Sequence, residues 1–422
     1  MKKIKGTHDL IFDEIDKWHF VEKKIKHLFD KYNFCEIRTP ILEYSEVFQR
    51  SAQYSEMVLK EIFHFLDKKG RKIALRPEGT ASIVRSYVEN KMDKKNELHK
   101  FYYYGPFFRY ERPQKGRYRQ FHQFGCEVIG TQNLLSEIEI FFLIDDLFKI
   151  FSFNNYKIII NTLGDPESLT SFLKDFIPYI KENKNQLCDL CLDRINQNIL
   201  RIFDCKKCVN KQFLKNSPLL FDYLTTSAKN KFEKIIELLD KSKICFEIDL
   251  KLVRGLDYYT DIVFEIAYSS NDNKKKLILG GGGSYNSLIK EFNGSEKNSI
   301  GFAIGMERFI LTLEEQNCFH NFIKPYLDLY LFILDEKVIP EAFMLLRKLR
   351  QNKIKAEMNY KILNFNKQFF KILENKPIYI LFIGEKEIKN NQFTIKKISD
   401  KKNYILDKNQ IINFLKKELK IQ

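Results

Sequence analysis

Five cations fall within eleven residues: Arg109, Arg112, Lys115, Arg117 and Arg119. The segment before them, 101–108, is apolar and aromatic enough to read as a strand, and 121–129 reads as its return. Pro113 and Gly116 would shape the hairpin tip between them. The cations therefore project from a loop anchored to a sheet, as a polyphosphate or a nucleic-acid end requires. On the returning strand, period-two geometry puts Gln123, Gly125 and Glu127 on one face. The small Gly125 leaves space between an amide and a carboxylate, which makes a pocket floor for a small polar or cationic ligand. A solvated sheet face is the competing reading.

Four other segments carry chemistry-bearing groups. Arg76-Pro77-Glu78-Gly79-Thr80 follows a strand and opens a helix, with Thr80 expected as the N-cap. Glu78 and Thr80 on such a rigid turn suit an ammonium group, or serve only as a capping turn. In Arg254-Gly255-Leu256-Asp257-Tyr258-Tyr259, Gly255 permits a bend beside Arg254, and the alternative is packing plus an Arg254–Asp257 ion pair. Gly280 to Gly283 sit between a strand and an expected helix. They resemble a phosphate cradle, yet the Gly-Lys-Ser/Thr ending of a P-loop and the GxGxxG spacing are both missing. Close approach to a ligand or a neighbouring strand explains them better. Arg308 falls in the first turn of a helix, where the dipole favours anions, so it would face a phosphate or stack on a base unless a nearby carboxylate pairs it. Finally, Cys188-x2-Cys191 and Cys205-x2-Cys208 have the spacing of a four-thiolate zinc site, with reduced thiols as the alternative.

The elements that must position these groups can be read from composition and periodicity. The chain has 422 residues, is 44% hydrophobic, and carries 71 Lys and Arg against 55 Asp and Glu, a net charge of +16. Disorder is excluded, and a polyanionic partner is the first candidate. After a helix over Trp18 to Tyr32, strands and two further helices, about 80–90 and 135–151, fill the region to about 165, helices dominate 170–240, and strands resume from 244 to 304. A sheet-centred domain interrupted by a helical insertion accounts for this order. After 325 the pattern is a small α/β unit holding +9 of the net charge. The expected boundaries are 1–169 and 241–325 for the sheet domain, 170–240 for the insertion and 326–422 for the basic tail. No stretch reaches the ~20 apolar residues of a membrane span, no secretory signal opens the chain, and the eight cysteines form no disulfide framework. A reducing cytoplasm is the expected setting.

Together these segments resemble the signature motifs of class II aminoacyl-tRNA synthetases, within them the histidyl-tRNA synthetase family. Tyr32 to Glu43, with Pro40, looks like the first motif. Arg109-Tyr110-Glu111-Arg112 with its loop to Gln123 looks like the second, and Gly305-Met306-Glu307-Arg308 the third. The histidine-specific stretches are 76–80, 112–123 and 253–259. The resemblance implies an α+β fold: an antiparallel six-stranded sheet flanked by helices, a helical insertion and a C-terminal α/β anticodon-binding domain. It implies ATP-dependent attachment of L-histidine to histidine tRNA through a histidyl-adenylate, with Mg²⁺ accompanying ATP, and a homodimer formed through the first motif. By the same resemblance, Arg109, Glu111, Arg117 and Arg308 bind ATP. Glu78, Thr80 and Gln123 bind the α-ammonium of histidine, Glu127 with Tyr259 binds its imidazole, and Tyr258 also belongs to the histidine site. Arg254 bridges the histidine carboxylate and the α-phosphate, which makes Arg109, Arg254 and Arg308 the catalytic set. Arg112 and Gln114 approach the acceptor end of the tRNA. The family's charged neighbours of the glycine-loop tyrosine are replaced here by Ser284 and Asn286, so the resemblance assigns Tyr285 no role. The competing function is a non-catalytic synthetase-like regulatory paralogue of histidine biosynthesis. Such paralogues lack the C-terminal domain and erode the 253–259 segment, both of which this chain retains.

Overall fold

The computed structural model describes residues 1–51, 55, 60–95, 97–131, 134–269, 276–319, 322, 327–362, 365–374 and 376–421. Two compact units divide the chain, 1–319 and 320–422. The expected 325/326 boundary lies outside the described residues.

Among the described residues the first unit has eleven strands: β1 (Cys35–Glu36), β2 (Leu42–Tyr44), β3 (His64–Leu66), β4 (Lys72–Leu75), β5 (His99–Phe108), β6 (Gln120–Thr131), β7 (Tyr156–Thr162), β8 (Phe246–Ile248), β9 (Thr260–Ser269), β10 (Lys276–Ser284) and β11 (Asn298–Gly305). Eight of them form one sheet in the order β1-β5-β6-β11-β10-β9-β7-β8. The six central strands run antiparallel, as expected. The short β1 and β8 add parallel edges beyond the six strands that the resemblance implies. A separate three-stranded sheet, β2-β4-β3, carries the first motif's end.

Alternation along the strands decides which face is filled. The even residues of β6, Phe124, Cys126 and Val128, enter the main apolar core. That core is closed by the helix Asp13–Lys31, which buries Trp18, Val21, Ile25, Leu28 and Phe29 on one stripe, and by the helix Leu135–Lys149. Acidic Asp13, Glu14 and Asp16 open the first of these helices and Lys31 ends it, complementing its dipole. The opposite sheet face, with the odd residues of β6, is only partly covered, by the helix Thr80–Glu89 and by Tyr258, Tyr285, Leu288 and Ile289.

Gly280 to Gly283 are not a loop. They lie inside β10, paired to β9 on one side and β11 on the other. A Cβ at Gly281 would stand 2.5 Å from the Phe264 carbonyl oxygen, and one at Gly282 would stand 2.0 Å from that of Gly301. The glycines are there because neighbouring strands come too close for side chains.

The helical stretch begins at the helix Pro166–Glu182, whose N-cap Asp165 accepts a hydrogen bond from Ser168 N–H. Phe172, Phe176, Ile180, Ile202, Phe213 and Leu214 gather with three of the clustered cysteines into a small apolar core of their own. The later helix Thr226–Lys241 instead sends Phe232, Ile235 and Leu239 into the main core.

The second unit is an α/β layer with strands β12 (Leu327–Ile333), β13 (Ala356–Met358), β14 (Pro377–Ile383), β15 (Gln392–Lys397) and β16 (Asn403–Asp407) in the order β13-β12-β14-β15-β16. The first three are parallel, and β15 and β16 are antiparallel. Leu329, Leu331 and Ile333 pack against Ala342, Leu345, Leu346 and Leu349 of the helix Ile339–Gln351.

Candidate active site

The partly covered face of the main sheet holds a cleft whose floor is set by strand register. Gln123 pairs with Gly305, Gly125 with Ala303, and Glu127 with Gly301. The row continues through Gly281 and Gly283 of β10. Small residues opposite each polar group leave the space that the spacing on β6 predicted. A Cβ at Gly301 would come within 1.8 Å of Glu127 Oε2, so the carboxylate occupies the room that this glycine leaves.

At one end lies a buried acidic pair. Glu78, not Thr80, caps the Thr80–Glu89 helix: its carboxylate accepts from Thr80 N–H at 2.6 Å and from Ala81 N–H at 2.9 Å. Thr80 is the first helical residue, after Gly79 at the N-cap, which corrects the expected cap. Its hydroxyl is thereby free to donate to Glu127 Oε1 at 2.7 Å. Burial pushes the Glu127 carboxyl up to about 8, opposed by Tyr285 and Thr80, while the neighbouring Glu78 adds to the rise. Burial raises Glu78 as well, although the two amides and Arg109 oppose it. Gln123 Oε1, Glu127 Oε2 and the hydroxyls of Tyr103 and Tyr285 are buried without a well-formed hydrogen bond among the described residues. Buried polar groups of this kind are met by ordered water or by polar atoms of a ligand.

The other end is cationic. Arg109 donates to the Pro77 carbonyl at 2.9 Å and lies over the Phe121 ring. Glu111 stands between two guanidinium groups, 3.1 Å from Arg117 and 3.9 Å from Arg109. Arg308 reaches the carbonyls of Ile278, at 2.7 Å, and Gly116, at 3.2 Å. Burial, then Arg117 and Arg109, lower its proton affinity, as expected of cations gathered without enough anions. Arg254 pairs with Glu265 at 2.6 Å. Asp257, the partner considered from sequence, accepts instead from Asn198 at 2.7 Å. Burial opposes the Arg254 charge, but Glu265, Tyr259 and Tyr258 outweigh it and keep the guanidinium protonated.

A family model described as histidyl-tRNA synthetase matches residues 6–309. The chain belongs to the histidyl-tRNA synthetase family. A second model, an anticodon binding domain, matches 328–418. The histidine–tRNA ligase of Phytoplasma mali (strain AT) is 48% identical, covering 99% of both chains. That of Acholeplasma laidlawii (strain PG-8A) is 38% identical over 99% of each. The crystal structure of apo Staphylococcus aureus histidyl-tRNA synthetase superposes with a TM-score of 0.84 at 31% identity, covering 99% of this chain and 100% of that one.

Within this histidyl-tRNA synthetase fold, the cleft gathers Glu78, Thr80, Arg109, Glu111, Arg117, Gln123, Glu127, Arg254, Tyr258, Tyr259 and Arg308. Arg112 and Gln114 are not part of its lining. They are exposed on the hairpin, which turns through Lys115 and Gly116, with Gly116 at φ 71°. The four cysteines form a separate cluster in the helical stretch. The sequence reading missed Tyr103, Glu265 and Glu307. Glu265 pairs Arg254, and Glu307 accepts from His122 N–H at 2.8 Å, tying the third motif to β6. Tyr285, given no role earlier, lines the cleft beside Glu127. Asn286 holds its turn without the lost charges: its side chain accepts from Ser299 N–H at 3.0 Å and its N–H donates to Thr260 Oγ1 at 3.2 Å.

Proposed function

We propose that the chain attaches L-histidine to histidine tRNA in two steps, both in this cleft. In the first, an oxygen of the histidine carboxylate attacks the α-phosphorus of ATP. A P–O bond forms, the bond to the bridging oxygen breaks, and diphosphate leaves with that electron pair. In the second, a ribose hydroxyl at the tRNA 3′ end attacks the adenylate carbonyl and AMP leaves. The first step brings two anions together, so its barrier falls when fixed cations meet the oxygens where charge accumulates.

Arg109 and Arg254 would take the α-phosphate from two sides, with Arg254 also holding the amino-acid carboxylate. Arg308 would stack on adenine and reach the γ-phosphate, and Arg117 would serve the β- and γ-phosphates beside Glu111. Mg²⁺ enters as part of the nucleotide substrate. Glu78, Thr80 and Gln123 would hold the α-ammonium, and Glu127 with Tyr258 and Tyr259 the imidazole. An apolar amino acid would leave Glu127 and Tyr259 unpaired, a penalty worth up to about 10⁴-fold discrimination.

The observation carrying this reading is the convergence of Arg109, Arg254 and Arg308, from three distant stretches, beside buried Glu78 and Glu127 and part-buried Gln123. Exposed Arg112 and Gln114 remain available to the acceptor end, and the C-terminal unit to the anticodon. A homodimer is supported by apolar surface left exposed on the β2-β4-β3 sheet, namely Leu42, Tyr44, Phe65 and Leu66. No helix of the described residues is long and apolar enough to cross a membrane, in keeping with a cytoplasmic setting.

Histidine-dependent exchange of pyrophosphate into ATP tests the reading. Exchange by the parent chain, lost in Arg254→Ala with the fold intact, supports it. An absence of exchange in the parent would return the regulatory paralogue to consideration.

A further inference from the structure

We propose that Cys188, Cys191, Cys205 and Cys208 bind one zinc ion, and that this zinc site braces the segment that carries Arg254. The second half rests on the role given to Arg254 above, whereas the metal site does not.

The four Sγ atoms lie within 4.8 Å of one another, and those of Cys188 and Cys205 are 3.6 Å apart. A tetrahedron of Zn–S bonds of about 2.3 Å has edges of about 3.8 Å, whereas a disulfide needs about 2.05 Å. Both Cys-x2-Cys pairs fold into the same turn. Cys191 N–H donates to the Cys188 carbonyl at 2.8 Å, and Cys208 N–H to that of Cys205 at 3.0 Å. Cys188 N–H also donates to Cys208 Sγ at 3.4 Å, a bond that suits a thiolate acceptor. Cys191, Cys205 and Cys208 are buried in the small core around Phe176 and Ile202. A core this small gains most from a metal staple.

The chain between the two pairs leads to the active site. Its Asn198 donates to Asp257, and a Cβ at Gly255 would stand 3.8 Å from Arg201 Nη2. Along 251–257 the contacts alternate. Lys251 donates to the carbonyls of Leu214 and Lys215 at 2.9 and 3.1 Å, Val253 joins the cysteine-containing core, and Asp257 meets Asn198. Leu252, Arg254 and Leu256 face the other way, toward the sheet and cleft. Arg254 is thus aimed by a strip whose back is fastened to the cysteine-bearing module.

The full chain, purified without chelators, is expected to carry close to one zinc per chain by elemental analysis. Cobalt substitution should give the intense visible bands of a tetrahedral thiolate centre. Cys191→Ser and Cys205→Ser should lose the metal, and Cys188→Ser, at the half-exposed position, guards against misfolding of the buried variants. Zinc below about a third of an equivalent, iron in its place, or full zinc retained by Cys188→Ser would overturn the site. For the brace, Asn198→Ala should keep its zinc yet lower kcat for pyrophosphate exchange about fivefold to twentyfold, with the KM for ATP within about twofold of the parent. An unchanged kcat would overturn the brace. If Arg254→Ala itself retains exchange, the role of Arg254 fails while the zinc measurement stands.

Discussion

Arg254 Nη1 and Glu265 Oε1 are 2.6 Å apart, an ion pair that joins the 251–257 segment to β9. Glu265 sits in register with Gly281, where a Cβ would lie 2.8 Å from the same guanidinium. The arginine is therefore held on one side by charge and on the other by an absence of side chain. Among the described residues its Nε has no hydrogen-bond partner, which would leave a donor for a substrate oxygen.

Arg254→Lys should slow histidine-dependent pyrophosphate exchange by about 10²- to 10³-fold, because an ammonium cannot fork onto a carboxylate and a phosphate together. Far-UV circular dichroism should match the parent. Exchange near the parental rate would mean that a point charge suffices.

Glu127 links the site to pH. Its folded value, about 8, lies above the ordinary 4.5, so the native state holds a proton that the unfolded chain gives up. Its contribution is fully present below about 4.5 and is lost as pH rises through about 8. Melting temperatures of the ligand-free chain, followed from about pH 6 to about pH 9, should fall on this account, and Glu127→Gln should flatten the fall. An identical slope in the variant would assign the loss to other groups.

Thr80→Val removes the hydroxyl that donates to Glu127 while leaving Glu78 to cap the helix. Stability should change by about 1 kcal/mol, and the KM for histidine should rise about tenfold or more. Thr80→Ser should restore it. Glu78→Ala, by contrast, strips two amides of their acceptor and should melt earlier, at a cost of about 0.5–2 kcal/mol.

Gly301→Ala would force a methyl group against Glu127 Oε2 and the Cys126 carbonyl, at 1.8 and 2.5 Å. Overpacking of this kind costs about 1–3 kcal/mol. Isothermal titration should show histidine binding weakened more than ATP binding, since the clash lies at the carboxylate end of the cleft.

The arginines and the polar face of β6 were legible in the sequence because strand alternation and hairpin chemistry are local. Gln123 and Glu127 needed only period two to share a face, and the α/β character of the C-terminal unit followed from helix and strand periods, although the short helix Glu385–Asn390 did not. What depends on register between distant strands was not legible. Glu265 looked like any strand acid until β9 and β10 were paired, and the glycine run read as a loop because propensity disfavours it in a strand. Tyr285 was passed over because its charged neighbours are replaced, although Asn286 holds the turn with one hydrogen bond from its uncharged side chain and one from its backbone N–H. Thr80 was mistaken for a cap because Glu78, one residue before the N-cap, is an unusual position from which to do that work.

The floor formed by Gly281 and Gly301 has a consequence for redesign. Main chain cannot be trimmed, so no substitution there can enlarge the chamber, and nearly every one would shrink it. Attempts to recruit a bulkier or differently shaped monomer must work on the walls, at Thr80, Glu127, Tyr258 and Tyr259, where side chains exist to be exchanged.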